Sequence, residues 1–224
     1  AATAGSQGAA PTAGSVRDRI AAAPMITFNP DAAFSPDPVT TSTSELRVPI
    51  AHVDLGPADV PTGFPHTPVG AVGQLAAIEK AVLESMSLPA TRDIHSAWVQ
   101  PGGPSVEEWE LTRNVQSFLA AARQSGVEKD LTTLVSATPA AGVVKGSDGP
   151  DWTVVCVLMD VQAVIRTESR MGYGFCSRMA WNPDEQRWLV APGAPPAAAP
   201  SAWPGSRAAA EAGWQTWIDE AGVR

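Results

Sequence analysis

The sequence is poor in the side chains on which most enzymes and metal sites depend. It contains only two cysteines and three histidines among 224 residues. Neither a CxxC pair nor a cysteine–histidine spacing typical of zinc sites occurs, so we expect no metal ligands. Also missing are a Gly-x-Ser-x-Gly elbow, a phosphate-binding glycine loop and a dinucleotide fingerprint. These absences indicate a protein without catalytic residues and without a cofactor.

Basic residues are also scarce, and they do not form a run. The 15 lysines and arginines stand against 23 acidic residues, which gives a formal net charge of −8. A chain without a basic run cannot neutralise several phosphates at once, so we expect no nucleic-acid partner. No apolar run has the length needed to cross a bilayer. Contact with a membrane is therefore expected only through an anchor ahead of residue 1.

Composition divides the chain into three segments. Residues 1–45 are rich in Ala, Gly, Ser, Thr and Pro, and they predict a flexible linker or arm with too little apolar surface to order itself. Residues 46–192 have the hydrophobic periodicity of a folded domain. Residues 193–224 predict a Pro/Ala tether and a Trp-rich C-terminal helix docked on that domain. The opening tract is typical of the sequence after a signal peptide or membrane anchor, so we expect an extracytoplasmic, cell-envelope protein.

Aromatic residues in the two terminal segments are candidates for contact with a protein partner. Because an exposed tryptophan is costly, each of these side chains should pack against something. The C-terminal helix can pack either on the sheet of its own domain or on a partner, and the sequence leaves both alternatives open. The candidate contact residues are Phe28, Phe34, Trp203, Trp214 and Trp217.

Cap and turn residues place the helices of the middle segment. Thr67 can cap a helix whose first position is Pro68. The apolar stripe of this helix continues to about residue 88, and Pro89 is expected to end it. A second helix is expected to begin at the capping box near residue 105 and to end at Gly126. Residues 90–99 between them predict an irregular or short extended segment.

Alternation of apolar and polar residues predicts an antiparallel meander after the helices. The strongest alternation begins at Trp152. A short edge strand is also expected over residues 45–53, where Pro49 interrupts pairing. Helices followed by a meander indicate an α+β domain rather than a βαβ arrangement. The expected strands of the meander cover residues 131–144, 152–166, 171–181 and 186–191.

The two cysteines fall on neighbouring strands of this meander. Cys156 and Cys176 each lie on the face opposite the main apolar row of their strand. If the strands are hairpin partners, both thiols point to the same side of the sheet and can form a cross-strand disulfide. An oxidising compartment would favour that bond. The alternative is a pair of free, half-buried thiols that behave as small apolar groups.

A resemblance to a known family rests on one motif and one strand. The motif Gly63-Phe64-Pro65-His66-Thr67-Pro68-Val69-Gly70-Ala71 resembles a GF-x-HTP-x-GA signature of uncharacterised exported actinobacterial proteins of conjugative elements and plasmids. The strand Arg187-Trp188-Leu189-Val190-Ala191-Pro192 is similar to one in the same proteins. The order of elements resembles an NTF2-like (cystatin-like) roll, a fold that also occurs in VirB8/TcpC-like scaffold subunits of type IV secretion systems.

This resemblance implies a non-enzymatic scaffold or accessory subunit of a conjugation-type secretion system. Such a subunit acts through protein–protein contacts within a secretion complex and can form a homo-oligomer. One alternative is an NTF2-like small-ligand binder or enzyme, with a pocket between sheet and helices that holds an ionisable pair such as Asp93 and His95. Another is a cytoplasmic or phage-encoded domain with free thiols.

Overall fold

The computed structural model describes residues 14–36, 38, 44–50 and 54–220. Parts of the expected N-terminal linker, the end of the expected edge strand and the last four residues lie outside this range. The helices of the described residues are α1 (Val16–Ala22), α2 (Pro68–Ser85), α3 (Leu88–Trp98), α4 (Glu110–Ala121) and α5 (Arg207–Glu211). The strands are β1 (Glu45–Pro49), β2 (Asp54–Leu55), β3 (Pro61–Thr62), β4 (Leu134–Ser147), β5 (Trp152–Val164), β6 (Glu168–Asn182), β7 (Arg187–Val190) and β8 (Gln215–Glu220).

A six-stranded sheet in the order β1-β8-β4-β5-β6-β7 forms the framework. Strands β4 to β7 are successive antiparallel neighbours, which confirms the expected meander. The β4–β5 register shifts between Pro139 and Ala141. At the other side of the sheet, β8 pairs with β4 and also holds β1 in parallel. The sheet curls into a half-barrel with helices packed on it, so the α+β class is confirmed.

Helix α2 fills the curl of the sheet, and its sequence explains both of its ends. The Thr67 hydroxyl accepts a hydrogen bond from the backbone N–H of Gly70, and Pro68 lies in the first turn, as the sequence predicted. Met86 ends the helix in a left-handed conformation, with φ 40°. The apolar side of α2 packs on β4 and β5. Its buried stripe includes Val72, Leu75, Ile78, Val82 and Leu83.

The segment expected to be irregular at residues 90–99 is instead helical. Helix α3 begins where the Ser87 hydroxyl accepts a hydrogen bond from the N–H of Ala90. The prediction was wrong because Pro89 indicated the end of the preceding helix, whereas proline is equally suited to the first turn of a new one. Trp98 closes α3 in full burial and donates its indole N–H to the Pro57 carbonyl at 2.9 Å.

Helix α4 is shorter than expected at both ends. Ser105 and Glu108 do form reciprocal hydrogen bonds, but they close a turn before the helix, which begins at Glu110. At the other end Arg123, and not Gly126, adopts the left-handed conformation that ends the helix, with φ 54°. Its N–H bonds to the Ala120 carbonyl. The expected glycine stop was therefore wrong by three residues, because an arginine occupies the position where glycine is usual.

The expected C-terminal helix containing Trp214 and Trp217 is wrong. After the short helix α5, Gly213 adopts φ 86° and the chain enters strand β8. The apolar spacing had suggested a helical stripe. However, Thr216, Trp217 and Ile218 are residue types that favour strands, and both edges of β8 find partners in β1 and β4. What docks on the domain is therefore a sheet strand.

The terminal segments cover the face of the sheet opposite α2. Met25 and Phe28 pack with Leu158 and the two cysteines on this face, together with Trp214. Farther along, α1 is tied to the sheet by a 2.8 Å bond from the Lys145 ammonium to the Ala21 carbonyl. Both faces of β5 are therefore buried, and strand β5 has an almost continuous run of buried residues.

Candidate functional site

The two cysteines form a disulfide, as the strand pairing predicted. Cys156 and Cys176 lie directly opposite each other in the β5–β6 register and are bonded. Each sulfur lies 3.8 Å from the thioether sulfur of Met25, which belongs to the N-terminal segment. The bond is consistent with an oxidising environment. Among the described residues, no helix is both long and apolar enough to cross a bilayer.

The three tryptophan candidates for partner contact instead contact other residues of the same chain. Trp214 is buried and donates its indole N–H to the Pro200 carbonyl at 3.1 Å. The Trp203 ring lies under the Arg170 guanidinium, 4.7 Å from the ring centre. Trp217 is partly buried and packs against the main core. These contacts match the alternative in which the C-terminal segment packs on its own domain.

The two phenylalanine candidates differ in exposure. Phe28 is partly buried against the cluster around the disulfide. Phe34 follows the short turn Pro30–Ala33 and remains 52% exposed. Of the five aromatic candidates, it therefore offers the largest free surface. Phe34 also lines a large cavity.

That cavity lies at the open end of the half-barrel, and we call it the mouth cavity. It is bounded by the C-terminal halves of α2 and α4 and by the hairpin end of β5 and β6. Its volume is about 1300 Å³, above the range of about 300–1,000 Å³ for ordinary small-ligand pockets. Its apolar wall comprises Phe34, Leu83, Met86, Phe118, Val161, Ala163, Ile165 and Met171.

Polar groups gather at the inner end of the mouth cavity. Tyr173 and Asn114 both line it, and the Tyr173 hydroxyl donates a 2.8 Å hydrogen bond to the Glu110 carboxylate. Burial raises the pKa of Tyr173 well above its usual value, and the charges of Glu110 and Glu79 raise it further. The buried side-chain amide of Asn114 lies beside Tyr173, and its hydrogen-bonding interaction with the Tyr173 hydroxyl acts in the opposite direction on the pKa of Tyr173.

Glu79 is the residue that the sequence reasoning missed. It lies on the buried side of α2 with no exposed surface, and neither carboxyl oxygen has a hydrogen-bond partner in the described part of the chain. Desolvation raises the pKa of Glu79 well above its usual value, and the charge of Glu110 adds to the effect. The protonated, neutral carboxyl is therefore the favoured form. A signal existed, because Glu79 is four residues from both Leu75 and Leu83 on the apolar stripe.

The outer rim of the mouth cavity has three charged residues. Asp130 accepts hydrogen bonds from the hydroxyls of Thr132 and Thr133 and from Gln124, and these bonds lower the pKa of Asp130 to about 2. Arg123 and Arg166 are exposed, and no ion pair or side-chain hydrogen bond holds either guanidinium within the described residues.

The ionisable pair expected for a ligand site, Asp93 and His95, does not line the mouth cavity. His95 bonds through Nε2 to the Pro104 carbonyl at 2.8 Å, while Asp93 is exposed on α3. His66 stacks on Trp181 with ring centres 4.3 Å apart, so it contributes to packing near the start of α2. No group of three His, Cys, Asp or Glu side chains in the described ranges is arranged to hold a metal ion.

Comparison of the chain with protein-family models, with curated proteins and with solved structures finds no match. The geometry of the mouth cavity is therefore the basis for a functional conclusion.

Proposed function

We propose that this chain is an NTF2-like binding domain that holds a largely apolar small molecule in its mouth cavity. The observation that carries the proposal is the cavity itself. Apolar side chains from two helices and two strands surround a volume of about 1300 Å³ that remains open to solvent. Exposed apolar surface of this kind is costly for a protein that binds nothing. The half-barrel of sheet around α2 supports the NTF2-like assignment.

The proposed location is outside the cytoplasm. The disulfide between Cys156 and Cys176 supports this, since such bonds persist in oxidising compartments. The composition of residues 1–45, which is typical of a segment following an export signal, agrees with it. In that setting the binding domain would meet apolar molecules at or near the cell envelope.

Binding can be tested with the neutral fluorescent probe N-phenyl-1-naphthylamine, whose emission rises in apolar surroundings. We expect saturable binding at one site. The blocking variant is Ala121→Trp, because Ala121 is an exposed residue of α4 that lines the mouth cavity. The matched control is Ala120→Trp, since Ala120 is its exposed neighbour on the same helix and does not line the cavity. We expect the first to weaken binding at least tenfold and the second to leave it unchanged.

Two results would overturn the proposal. One is the absence of saturable probe binding by the folded wild-type chain. The other is an equal effect of the two tryptophan substitutions, which would place the probe elsewhere. Circular dichroism spectra of both variants establish that each is folded before binding is compared.

We propose a contact role in a conjugation-type secretion system as the second candidate, and a specific apolar patch supports it. Leu131 is fully exposed and Leu134 is 66% exposed. Leu134 lies opposite the partly exposed Val164 in the β4–β5 register. In a host that carries out conjugation with this chain, Leu131→Ser with Leu134→Ser should lower the frequency of conjugal DNA transfer at unchanged protein level. Normal transfer by this variant would count against the contact role and leave the ligand proposal intact.

A further inference from the structure

The charges around the mouth cavity are arranged unevenly from the inner end to the rim. At the inner end, the exposed carboxylate of Glu110 accepts the Tyr173 hydrogen bond, and the carboxyl of Glu79, whose neutral form is favoured, is buried nearby. At the rim, the carboxylate of Asp130 is already satisfied by Thr and Gln side chains. The two arginines of the rim have no such partners among the described residues. An anionic group is therefore disfavoured at the inner end and favoured at the rim.

Arg123 occupies a backbone position that glycine fills with less strain. Its N–H bonds to the Ala120 carbonyl, and the N–H of Gln124 bonds to the Leu119 carbonyl, which together form a Schellman motif. The left-handed residue of that motif is usually glycine, whereas here an arginine adopts φ 54°. A cation at this place also favours the helix C-terminus. The attraction between a cation and the helix C-terminus does not require that the side chain also line a cavity, as the side chain of Arg123 does.

Arg166 provides the second cation from a different element. It lies in the turn between β5 and β6, directly after Ile165, and both residues line the mouth cavity. The turn therefore presents an apolar side chain and a guanidinium to the same opening. Guanidinium groups form strong charge-assisted hydrogen bonds with carboxylate and phosphate oxygens. The protein as a whole is acidic, with a net charge of −8, so this pair of cations is a local exception.

We infer that the ligand of the mouth cavity is an anionic amphiphile, with an acyl-type tail among Leu83, Phe118 and Met171 and its head group at Arg123 and Arg166. This inference rests on the proposed binding function and adds the chemical class and the orientation of the ligand. The tail fills the apolar wall. The head remains at the rim, where solvent and both guanidinium groups reach it.

The inference is tested by displacement of the neutral probe N-phenyl-1-naphthylamine from the wild-type chain. Dodecanoate and dodecanol have the same tail and differ in the charge of the head. We expect dodecanoate to bind about fivefold to tenfold more tightly at low salt, because it gains two partly exposed charge-assisted contacts. The preference should shrink as ionic strength rises.

Two double variants of equal net charge test whether Arg123 and Arg166 cause the preference for dodecanoate. Arg123→Gln with Arg166→Gln should abolish the preference for dodecanoate over dodecanol. The control, Arg92→Gln with Arg207→Gln, removes two exposed arginines that do not line the mouth cavity. It has the same net charge as the first variant and should keep the preference of the wild-type chain.

The outcomes separate this inference from the proposed function. If the probe does not bind the wild-type chain, the proposed function fails and the inference fails with it. If the probe binds but dodecanoate and dodecanol compete equally, the inference alone is overturned. A preference that survives in the Arg123/Arg166 variant, or disappears in the control, also overturns it. The same comparison is repeated for lipid head groups with the anionic lysophosphatidylglycerol and the zwitterionic lysophosphatidylcholine. Whichever of dodecanoate and lysophosphatidylglycerol binds more tightly shows whether the anionic group of the ligand is a carboxylate or a lipid phosphate.

Discussion

Helix α2 is sealed at its N-terminal end and open at its C-terminal end. Near its start, the fully buried Trp188 donates its indole N–H to the Pro65 carbonyl at 3.0 Å. Near its end, Leu83 and Met86 line the mouth cavity, and Glu79 is buried without a partner. The same helix thus joins a tightly packed region to a loosely packed one. If the proposed function holds, the tightly packed region stabilises the fold and the loosely packed region binds the ligand.

The largest expected effect is at the sealed end. Trp188→Ala should lower the free energy of unfolding by about 3–5 kcal/mol, because it leaves a large cavity in the core and removes the hydrogen bond to the Pro65 carbonyl. Phe118→Ala at the mouth cavity should cost less than about 2 kcal/mol, since Phe118 is only partly buried and adjoins open space. Urea denaturation measures both. Equal losses would show that the two ends are not packed differently.

The disulfide should give the next largest effect. Replacing Cys156 and Cys176 together by alanine should lower the free energy of unfolding by about 3 kcal/mol, because the bond closes a loop with a sequence separation of 20 residues in the unfolded chain. A reductant should lower the stability of the wild-type chain to a similar extent. It should have no effect on the double variant, and a loss there would mean that the reductant acts elsewhere.

At the open end, Glu79→Gln should stabilise the protein at neutral and higher pH. The pKa of Glu79 is raised in the folded chain above its ordinary value of 4.5. Above pH 4.5 the unfolded chain therefore binds fewer protons than the folded chain does. Stability therefore falls as pH rises from there towards the folded-state pKa. Glutamine removes this penalty, so the gain in stability should be absent at pH 4 and should grow as pH rises towards 8.

The control for Glu79 is Glu107→Gln, because Glu107 is exposed. Thermal unfolding from pH 4 to pH 8 should show a flatter profile for the first variant only. A parallel profile of Glu79→Gln and the wild-type chain would mean that Glu79 does not titrate as its burial implies.

The smallest effect is expected at Arg123. Arg123→Gly should raise the free energy of unfolding by about 1 kcal/mol, because it relieves a left-handed backbone conformation. Arg123→Gln removes the same charge but keeps that conformation, so it should give no gain. Chemical denaturation of both variants separates backbone strain from charge. If Arg123→Gly does not raise the free energy of unfolding, the left-handed conformation of Arg123 does not lower the stability of the protein.

The sequence predicts the sheet better than the helices and the binding site. Long alternating strands such as β5 are governed by a simple period, and the pairing of Cys156 with Cys176 follows from it. The helix boundary at Pro89 was missed because a proline that cannot continue one helix can lie in the first turn of the next. The boundary at Arg123 was missed because an arginine occupies the position where glycine is usual. β8 was missed because the hydrogen-bonding edges that stabilise it come from β1 and β4, which are distant in sequence.

The mouth cavity could not be predicted from the sequence, because it depends on how α2, α4 and the β5–β6 hairpin diverge in space. The unusual side chains around it were nevertheless visible one at a time. Glu79 interrupts an apolar stripe, and Arg123 lies before a glycine that would have been the ordinary helix stop. An ionisable residue on an apolar face is an anomaly that the sequence alone displays, and Glu79 is such a residue.

The parallel pairing of β1 with β8 has a consequence for the order of folding. Leu46 is paired with Trp217, so β1 has no neighbour in the main sheet until the residues of β8 have been synthesised. The β5–β6 hairpin, in contrast, needs only local sequence and can form early. The sheet therefore remains incomplete until β8 has been synthesised and has paired with both β1 and β4.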